Sequence, residues 1–508
     1  MSRLLLKNGY ILDPPAELVQ SDILVDNDTI VDVASQIGQP RYFPGESTYR
    51  GQQTDRVINL SGKIVMPGLI SAHTHTTSYL QRGIADNLPL EPWQFYKGLG
   101  ELELTNRELY VTVALAAAEL VKSGTTALLD CPRVDWADFD SQIDTVLQAL
   151  VDVGIRVVSA PAYSDLTPSQ TLPLHLLDRP SNTSLLDFGP PLESDFLART
   201  LEGFLRRWQD RHPLVTPGLG PTGAHRCSEE MVDLTVELAR RYDAPIQTHL
   251  LETKLQAVVS RAKFGGSTGL FLQRKGYLGP RVSFAHAVWV DDTDIQILAE
   301  TGSSVVHNPL SNMRLGSGIA PVQRMRATGL NVALGADGGG CADNQNMIQV
   351  MKGAAFLGKL YGPRESWISA LDAWDMCVRG GAKVMRRRVG RIAPGYLADL
   401  VALNMKTLFL MPRDNLLTQI VYSEPGSSVD TVMVGGRVLV EDGHLISRDV
   451  GELRAEAQDI VRRMYERVAA RQSRYTAAKE LLDSLATAVA NQQLPFTRRA
   501  ALWPGAGD

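Results

Sequence analysis

Three features of the sequence predict an α/β protein built on a (β/α)8 TIM-like barrel, with a small β domain composed from both chain ends. The first is alternation. From residue 64 to about 388, apolar strand candidates alternate with helical segments, the pattern of a parallel sheet, and a barrel with insertions fits that length. The second is Ile64-Val-Met-Pro-Gly-Leu-Ile-Ser-Ala-His73-Thr-His75, which runs apolar like a buried strand and ends in two histidines. The third is β-rich text on both flanks of the alternating region. No GxGxxG follows the first strand, which argues against a doubly wound open sheet.

Taken in order, residues 4–60 read as short strands, Leu4–Asp13 and Asp22–Val33, around a polar turn at Asp26-Asn-Asp28. Residues 36–55, rich in Gly, Pro, Gln and Ser, read as a loop. Glu108–Val121 has helical character and Ser123-Gly124 ends it. Strands are expected at Thr125–Asp130, Ile155–Ala160, Ala244–His249, Val282–His286, Ser303–His307 and Asn331–Asp337, with helices at Thr145–Gly154, Met231–Arg240 and Thr293–Glu300 between them. The Pro-, Ser- and Leu-rich residues 161–190 read as a long loop at the mouth of a site. Gly390–Leu403 and Val429–Val440 return to β text, so both ends are expected to share one domain. Residues 450–490 are charged and helical, and residues 494–508 read as a poorly ordered tail or an arm that clasps a partner. The expected division is 1–63 and 389–449 for the β-sandwich, 64–388 for the barrel and 450–508 for a helical extension.

Composition narrows the function classes. The 508 residues carry 51 Lys plus Arg against 56 Asp plus Glu, a net charge of -5, which gives no general attraction for nucleic acid or an anionic membrane. The run Met385-Arg-Arg-Arg-Val389 reads as a solvated helix face. No stretch approaches 18 apolar residues and no signal h-region opens the chain. Four scattered cysteines, Cys131, Cys227, Cys341 and Cys377, without a CxxC pair, fit a reducing cytoplasm and buried inert thiols.

Chemistry gathers at strand ends, which converge on one face of a barrel. Five of the nine histidines, His73, His75, His249, His286 and His307, fall there, and so does Asp337. His73 and His75 are two apart and point the same way on a strand. Three histidines and one aspartate make a nitrogen–oxygen metal site with a water in the open position. Attack by that water needs a proton carrier. Glu252 lies three residues after His249; an acid at a helix start is the alternative.

These motifs are similar to those of the amidohydrolase superfamily: Pro67-Gly-Leu-Ile-Ser-Ala-His73-Thr-His75, Thr248-His249-Leu-Leu-Glu252, Ala285-His286, His307–Pro321 and Leu334-Gly-Ala-Asp337-Gly. Tyr79–Trp93 and Gly390–Leu400 resemble its aminohydrolase branch, which includes S-adenosylhomocysteine, guanine and cytosine deaminases and triazine hydrolases. The resemblance implies a distorted (β/α)8 barrel with a composite β-sandwich. It implies one divalent metal, Zn2+ or Fe2+, held by His73, His75, His249 and Asp337, and a homo-oligomeric, cytoplasmic enzyme acting on a small nitrogen heterocycle. Glu252 would shuttle the proton, His286 would polarise the attacking water or the oxyanion, and Asp337 would also accept a proton. The implied reaction displaces ammonia or an amine. Hydrolysis of a carbon–halogen, carbon–nitro, amide or urea bond is a second reading, and a non-catalytic binding protein a third. Trp93, His225, His307 and Asn312 are expected to meet substrate; Trp93 and His307 also admit a packing role, His307 could instead orient Asp337, and His225 could instead be a surface loop residue. One position departs from the branch. Its Pro-His-Ala-Pro-Tyr stretch is Pro221-Thr-Gly-Ala-His225 here, with Thr222 in place of histidine.

Overall fold

The computed structural model describes residues 3–14, 18–37, 56–101, 104–178 and 182–498. Its architecture is TIM-barrel-like α/β joined to a distinct sheet-rich region. The barrel-type strands are β1 (Leu69–Thr74), β2 (Thr125–Asp130), β3 (Arg156–Ser159), β4 (Val215–Pro217), β5 (Ile246–Leu250), β6 (Val282–His286), β7 (Ser304–His307) and β8 (Asn331–Leu334). β1 to β4 form one parallel sheet and β5 to β8 another. Parallel bridges Leu219↔Ile246 and Gly223↔His249 link the two on one side. On the other, the Asp337 amide donates to the His73 carbonyl at 3.0 Å. The expected strand Ser303–His307 and the helix Glu108–Val121 appear as Ser304–His307 and Asn106–Lys122, the helix ending at Gly124 with φ +90°.

Side chains alternate across these strands as the pleat requires. Ile70, Ala72, Ala127, Leu129, Val158, Val306 and Ala333 face inward and pack on Val384, Met385 and Val389. Their neighbours Leu69, Leu128, Val157, Val305 and Leu334 face the surrounding helices. Helix Phe139–Val153 follows the same logic, burying Ile143, Val146, Leu147 and Leu150 along one stripe.

The sheet-rich region draws on both chain ends. Its strand order is His444–Leu445, Arg437–Glu441, Val429–Val434, Leu400–Asn404, Lys63–Pro67, Arg3–Ile11, Val19–Asp26 and Thr29–Ala34, with Arg56–Asn59 also paired to Arg3–Ile11. Leu4, Leu6, Ile23, Val25, Ile30, Val65, Leu400 and Met433 form its separate core.

Three expectations change. The stretch from Ile64 to His75 is two strands rather than one. Lys63–Pro67 pairs antiparallel with Leu400–Asn404 in the sheet, and only Leu69–Thr74 enters the barrel. The break falls at Gly68, where a Cβ would meet the Thr126 hydroxyl at 2.0 Å. Residues 161–190 are not one unstructured loop: Ala162–Tyr163 is a strand, and Pro168–Thr171, Leu174–Leu176 and Thr183–Leu186 are helical turns. Each turn is too short to display a period, but Leu172, Leu174, Leu176 and Leu177 pack on Leu485 and Val489 of the C-terminal extension. The fourth strand was missed because it is split at Gly218, into Val215–Pro217 and Gly220–Pro221, and bears proline. The expected loop at 36–55 and tail at 494–508 fall mostly on residues outside those described.

The extension is two helices, Gly451–Ala470 and Gln472–Ala490. Glu108 accepts from Arg463 at 2.8 Å and pairs with Arg467, fixing the first of them to the barrel helix Asn106–Lys122. No helix among the described residues is long and apolar enough to cross a membrane.

Sheet and barrel are locked by a buried pair. Arg156 of β3 donates from Nε and Nη2 to both oxygens of Asp399, at 2.8 and 3.0 Å, and Asp399 also accepts from the Gly435 amide. Arg156→Met strands a buried carboxylate and is expected to cost about 3–5 kcal/mol in denaturant unfolding. Adding Asp399→Asn should recover a good part of that loss; a double variant no more stable than Arg156→Met would show that the charge is not what matters.

Candidate metal centre and active site

Backbone irregularities deliver the site residues. Simple alternation from Ile70 and Ala72 would turn His73 outward. Between Ser71 and Thr74, β1 has one residue more than the β2 segment Leu128–Asp130 that it pairs with. This bulge reverses the alternation and aims His73 inward. Ser71 Oγ fills it, donating to the His73 carbonyl at 3.1 Å and accepting from the Ala336 amide at 3.2 Å. Gly335 must stay bare, because a Cβ there would lie 2.9 Å from the His73 Cβ. At β6 alternation would also place His286 with outward-facing Phe284, but His286 and Ala287 take φ +69° and +48°. Leu251, before Glu252, and Asp337 are left-handed too, at +46° and +62°. Such values are costly for non-glycine residues and persist where the surroundings enforce them.

Each imidazole is then oriented through Nδ1. His73 Nδ1 lies 2.7 Å from Gln247 Oε1, His75 Nδ1 lies 2.7 Å from the Cys131 carbonyl, and His249 Nδ1 lies 2.9 Å from the Thr222 carbonyl. Gln247 donates its Nε2 to the Ala72 carbonyl and Ser283 Oγ, so its oxygen must face His73. All three partners only accept, which puts the proton on Nδ1 and leaves Nε2 bare. Asp130 at the end of β2 accepts from the Thr76 amide and hydroxyl at 2.9 and 2.7 Å, fixing the turn after His75.

The bare nitrogens converge. His75 Nε2 and His249 Nε2 are 3.2 Å apart, and Asp337 Oδ1 lies 3.8 and 3.7 Å from the Nε2 atoms of His73 and His75. His73 Nε2 is buried without a hydrogen-bond partner. His73, His249 and His286 form a second overlapping group whose donor atoms lie within 4.8 Å of one another. Burial lowers the His73 pKa to about 4 and that of His75 to about 3, so both are neutral near pH 7. Two unprotonated nitrogens facing each other repel unless a cation sits between them. Two imidazoles on one tetrahedral zinc ion would be about 3.3 Å apart. The donor set therefore fits a divalent metal.

Glu252 and His286 border the cluster. Burial and the Asp337 and Glu91 carboxylates raise the Glu252 pKa well above the carboxylate range. Its Oε1 accepts from Ser317 Oγ at 3.3 Å, and its Oε2 lies 3.6 Å from His286 Nε2. His286 Nδ1 is held by Asn312 Oδ1 at 2.9 Å, and its Nε2 lies 3.8 Å from Asp337 Oδ2. Burial raises Asp337, while the charge of His286, His73 and His75, wherever one of them is protonated, outweighs burial and lowers the carboxyl below its ordinary range.

The remaining expected contacts divide. Asn312 orients His286 rather than facing an open pocket. Trp93 is buried against the loop that follows Asp337, 3.3 Å from where a Gly340 Cβ would stand. His225 is buried in the turn Ala224–Arg226, packed on Gly223, and Thr222 meets the site through its carbonyl. His307, on β7 beside inward Val306, points with Val305 toward the helices, where it lines a separate small void with Ile319, Ala320 and Gln323. Its Nδ1 is buried without a hydrogen-bond partner. The four cysteines are buried and unpaired, and burial pushes the Cys227 thiol up to about 12.

Sequence reasoning missed several residues. Gln247 orients His73 and carries no motif of its own. Glu91 accepts from the Thr253 hydroxyl at 2.6 Å next to Glu252, and two residues of spacing from Trp93 were its one signal. Arg226 stands within electrostatic reach of Glu91 and Glu252, and buried Lys97 lies over Trp93 at 5.0 Å.

Comparison with known proteins places this geometry. A sequence profile of the amidohydrolase family matches residues 64–439. The 5'-deoxyadenosine deaminase of Methanothermobacter thermautotrophicus is 33% identical over 443 residues, 87% of this chain and 94% of that protein. The 5-methylthioadenosine/S-adenosylhomocysteine deaminase of Thermococcus onnurineus is 33% identical over 445 residues, 87% and 95% of the two chains. The crystal structure of an adenosine deaminase from Xanthomonas campestris with bound zinc superposes with a TM-score of 0.78 at 25% identity, covering 92% of this chain and 99% of that one.

Removing the Gln247 acceptor tests the orientation argument. Gln247→Leu is expected to weaken zinc binding about 10–100-fold, measured by competition with a chromogenic chelator. An unchanged affinity would mean that Nδ1 needs no restraint.

Proposed function

The chain belongs to the amidohydrolase family, and from that membership we propose that it is a metal-dependent aminohydrolase acting on the exocyclic amine of an adenosine-type nitrogen heterocycle. The observation that carries the reading is Glu252: a buried carboxyl whose pKa burial raises, 3.6 Å from His286 and beside the convergent His73, His75, His249 and Asp337. The relatives' names supply the substrate class. His73, His75, His249 and Asp337 would hold one divalent ion, zinc in this reading, which would supply the Lewis acidity that makes water a nucleophile near neutral pH.

The residues divide the proton work. Glu252 donates its proton to a ring nitrogen, which makes the neighbouring carbon electrophilic. Asp337, held ionised, accepts a proton from the attacking water. His286, its Nδ1 proton fixed on Asn312, stands with Nε2 toward Glu252 and Asp337 and stabilises charge on the new oxygen substituent. The carbon–oxygen bond forms, the carbon–nitrogen bond breaks, and the amine leaves as ammonia with the proton relayed through these carboxyls. In this reading buried Lys97 and Trp93, and Arg226 within electrostatic reach of Glu252, bear on selectivity. Thr222 in the branch's histidine position removes one polar side-chain contact, so the nucleoside is held differently from the branch pattern.

On the same reading, β1 to β8 close into one distorted (β/α)8 barrel. The sheet built from residues 1–63 and 389–449 is a β-sandwich-type domain, and 450–508 is an extension. The homo-oligomer reading draws support from exposed apolar side chains on adjoining elements, among them Leu360, Phe356 and Leu408. A cytoplasmic location rests on the unpaired cysteines alone.

The test is ammonia release from a panel of adenosine, 5'-deoxyadenosine, 5-methylthioadenosine, guanine and cytosine, with halide and nitrite followed in parallel on triazines. Adenosine-type compounds are expected to react. No ammonia from any heterocycle would sink the deaminase claim. Glu252→Gln is expected to keep its metal and lose turnover by 100-fold or more, the order of a lost general acid; a variant retaining more than about a tenth of the rate would show that another group carries the proton.

A further inference from the structure

The last described residues return to the loops beside Glu252. Arg498 is 4% exposed, although it lies at the far end of the C-terminal extension. Its guanidinium donates from Nε to the Val288 carbonyl at 3.0 Å and from Nη2 to the Val290 carbonyl at 2.7 Å. Its own carbonyl accepts from the Ile319 amide at 2.6 Å. Gly318, with φ +124°, makes this approach possible, since a Cβ there would lie 2.7 Å from the Arg498 carbonyl oxygen.

The two carbonyls that Arg498 grips flank Trp289. That residue touches the surroundings of Glu252 twice. Its amide donates to the carbonyl of Leu251, the left-handed residue just before Glu252, at 2.8 Å. Its indole donates to the Ser317 carbonyl at 2.8 Å, and Ser317 Oγ donates to Glu252 Oε1 at 3.3 Å. The segment Val288–Val290 leaves β6 after two left-handed residues and has no ladder there to satisfy its carbonyls, so a planar two-pronged donor is suited to them.

We propose that Arg498 is a positioning residue for Glu252. It clamps Trp289 between two carbonyl bonds, and Trp289 fixes Glu252 through Leu251 on one side and Ser317 on the other. The C-terminal extension thereby completes an active site whose catalytic groups all lie more than 150 residues earlier. The inference rests on the aminohydrolase reading for the role of Glu252, while the clamp itself has a readout that needs no substrate.

The experiment compares the full-length, zinc-loaded wild type with Arg498→Ala, Arg498→Lys and Gly318→Ala, the last displacing the tail without altering Arg498. Amide exchange by mass spectrometry on peptides covering 286–291 and 312–319 is expected to quicken about tenfold in Arg498→Ala and Gly318→Ala. Arg498→Lys, a single point donor, should fall between. Zinc content should stay at the wild-type level, and kcat for ammonia release should drop on the order of tenfold with KM within about twofold, as for a displaced proton carrier. If Arg498→Ala does not fold, the other two variants carry the same comparison. Wild-type exchange at both peptides in Gly318→Ala and Arg498→Lys would overturn the clamp. Faster exchange with kcat unchanged would overturn its action on Glu252. A wild type inactive on every substrate, with exchange still quickened, would fail the aminohydrolase reading and leave the clamp standing.

Discussion

Two imidazole nitrogens that lack a proton between them stand 3.2 Å apart at the end of the barrel strands. In an apolar interior that contact is unfavourable, and burial has removed the easy remedy of protonating one ring. The arrangement suits a divalent cation in the gap, and much of the local structure serves to keep it. The Gln247 amide, the Cys131 carbonyl and the Thr222 carbonyl each hold one Nδ1 proton, so no ring can turn away. The sequence distance between these partners and their histidines makes the centre a property of both four-stranded sheets rather than of one strand.

Regular secondary structure alone would not build the site. A bulge reverses the alternation of β1, and left-handed residues at 251, 286, 287 and 337 bend the strand ends inward. Each of these irregularities is strained, and each is over-determined by neighbours: Ser71 in the bulge, Gly335 beside His73, Asn312 on His286, Trp289 on Leu251. The catalytic face and the packed core thus have different makers. The core follows from alternating apolar residues, the face from local exceptions to that alternation.

This difference explains what could be read from the sequence. Strand–helix alternation, the pairing of His73 with His75, and the placement of histidines at strand ends were legible because they depend on spacing within one element. The division at Gly68 was not, because Ile64–Met66 and Leu69–Ile70 are equally apolar and only the Thr126 side chain decides where the chain must leave the sheet. For His307 the sequence left a substrate contact and a packed histidine both open; it lines a small void with Val322 and Gln323. Gln247, Glu91 and Arg498 were invisible because their roles come from partners tens to hundreds of residues away. The three helical turns within 161–190 have no period of their own and depend on leucines meeting the C-terminal extension.

Outside the metal cluster stand Glu91 and Lys97 from one helix and Arg226 from a turn, and in the proposed reading these parts bear on selectivity. The chemistry depends on the cluster itself. The most direct test of that claim is a titration of metal-stripped protein with zinc, following ammonia release from 5'-deoxyadenosine. The account predicts a rate that rises linearly and breaks at about one equivalent per chain, as for a single tight site. A rate independent of added zinc, in protein verified to be metal-free, would contradict it.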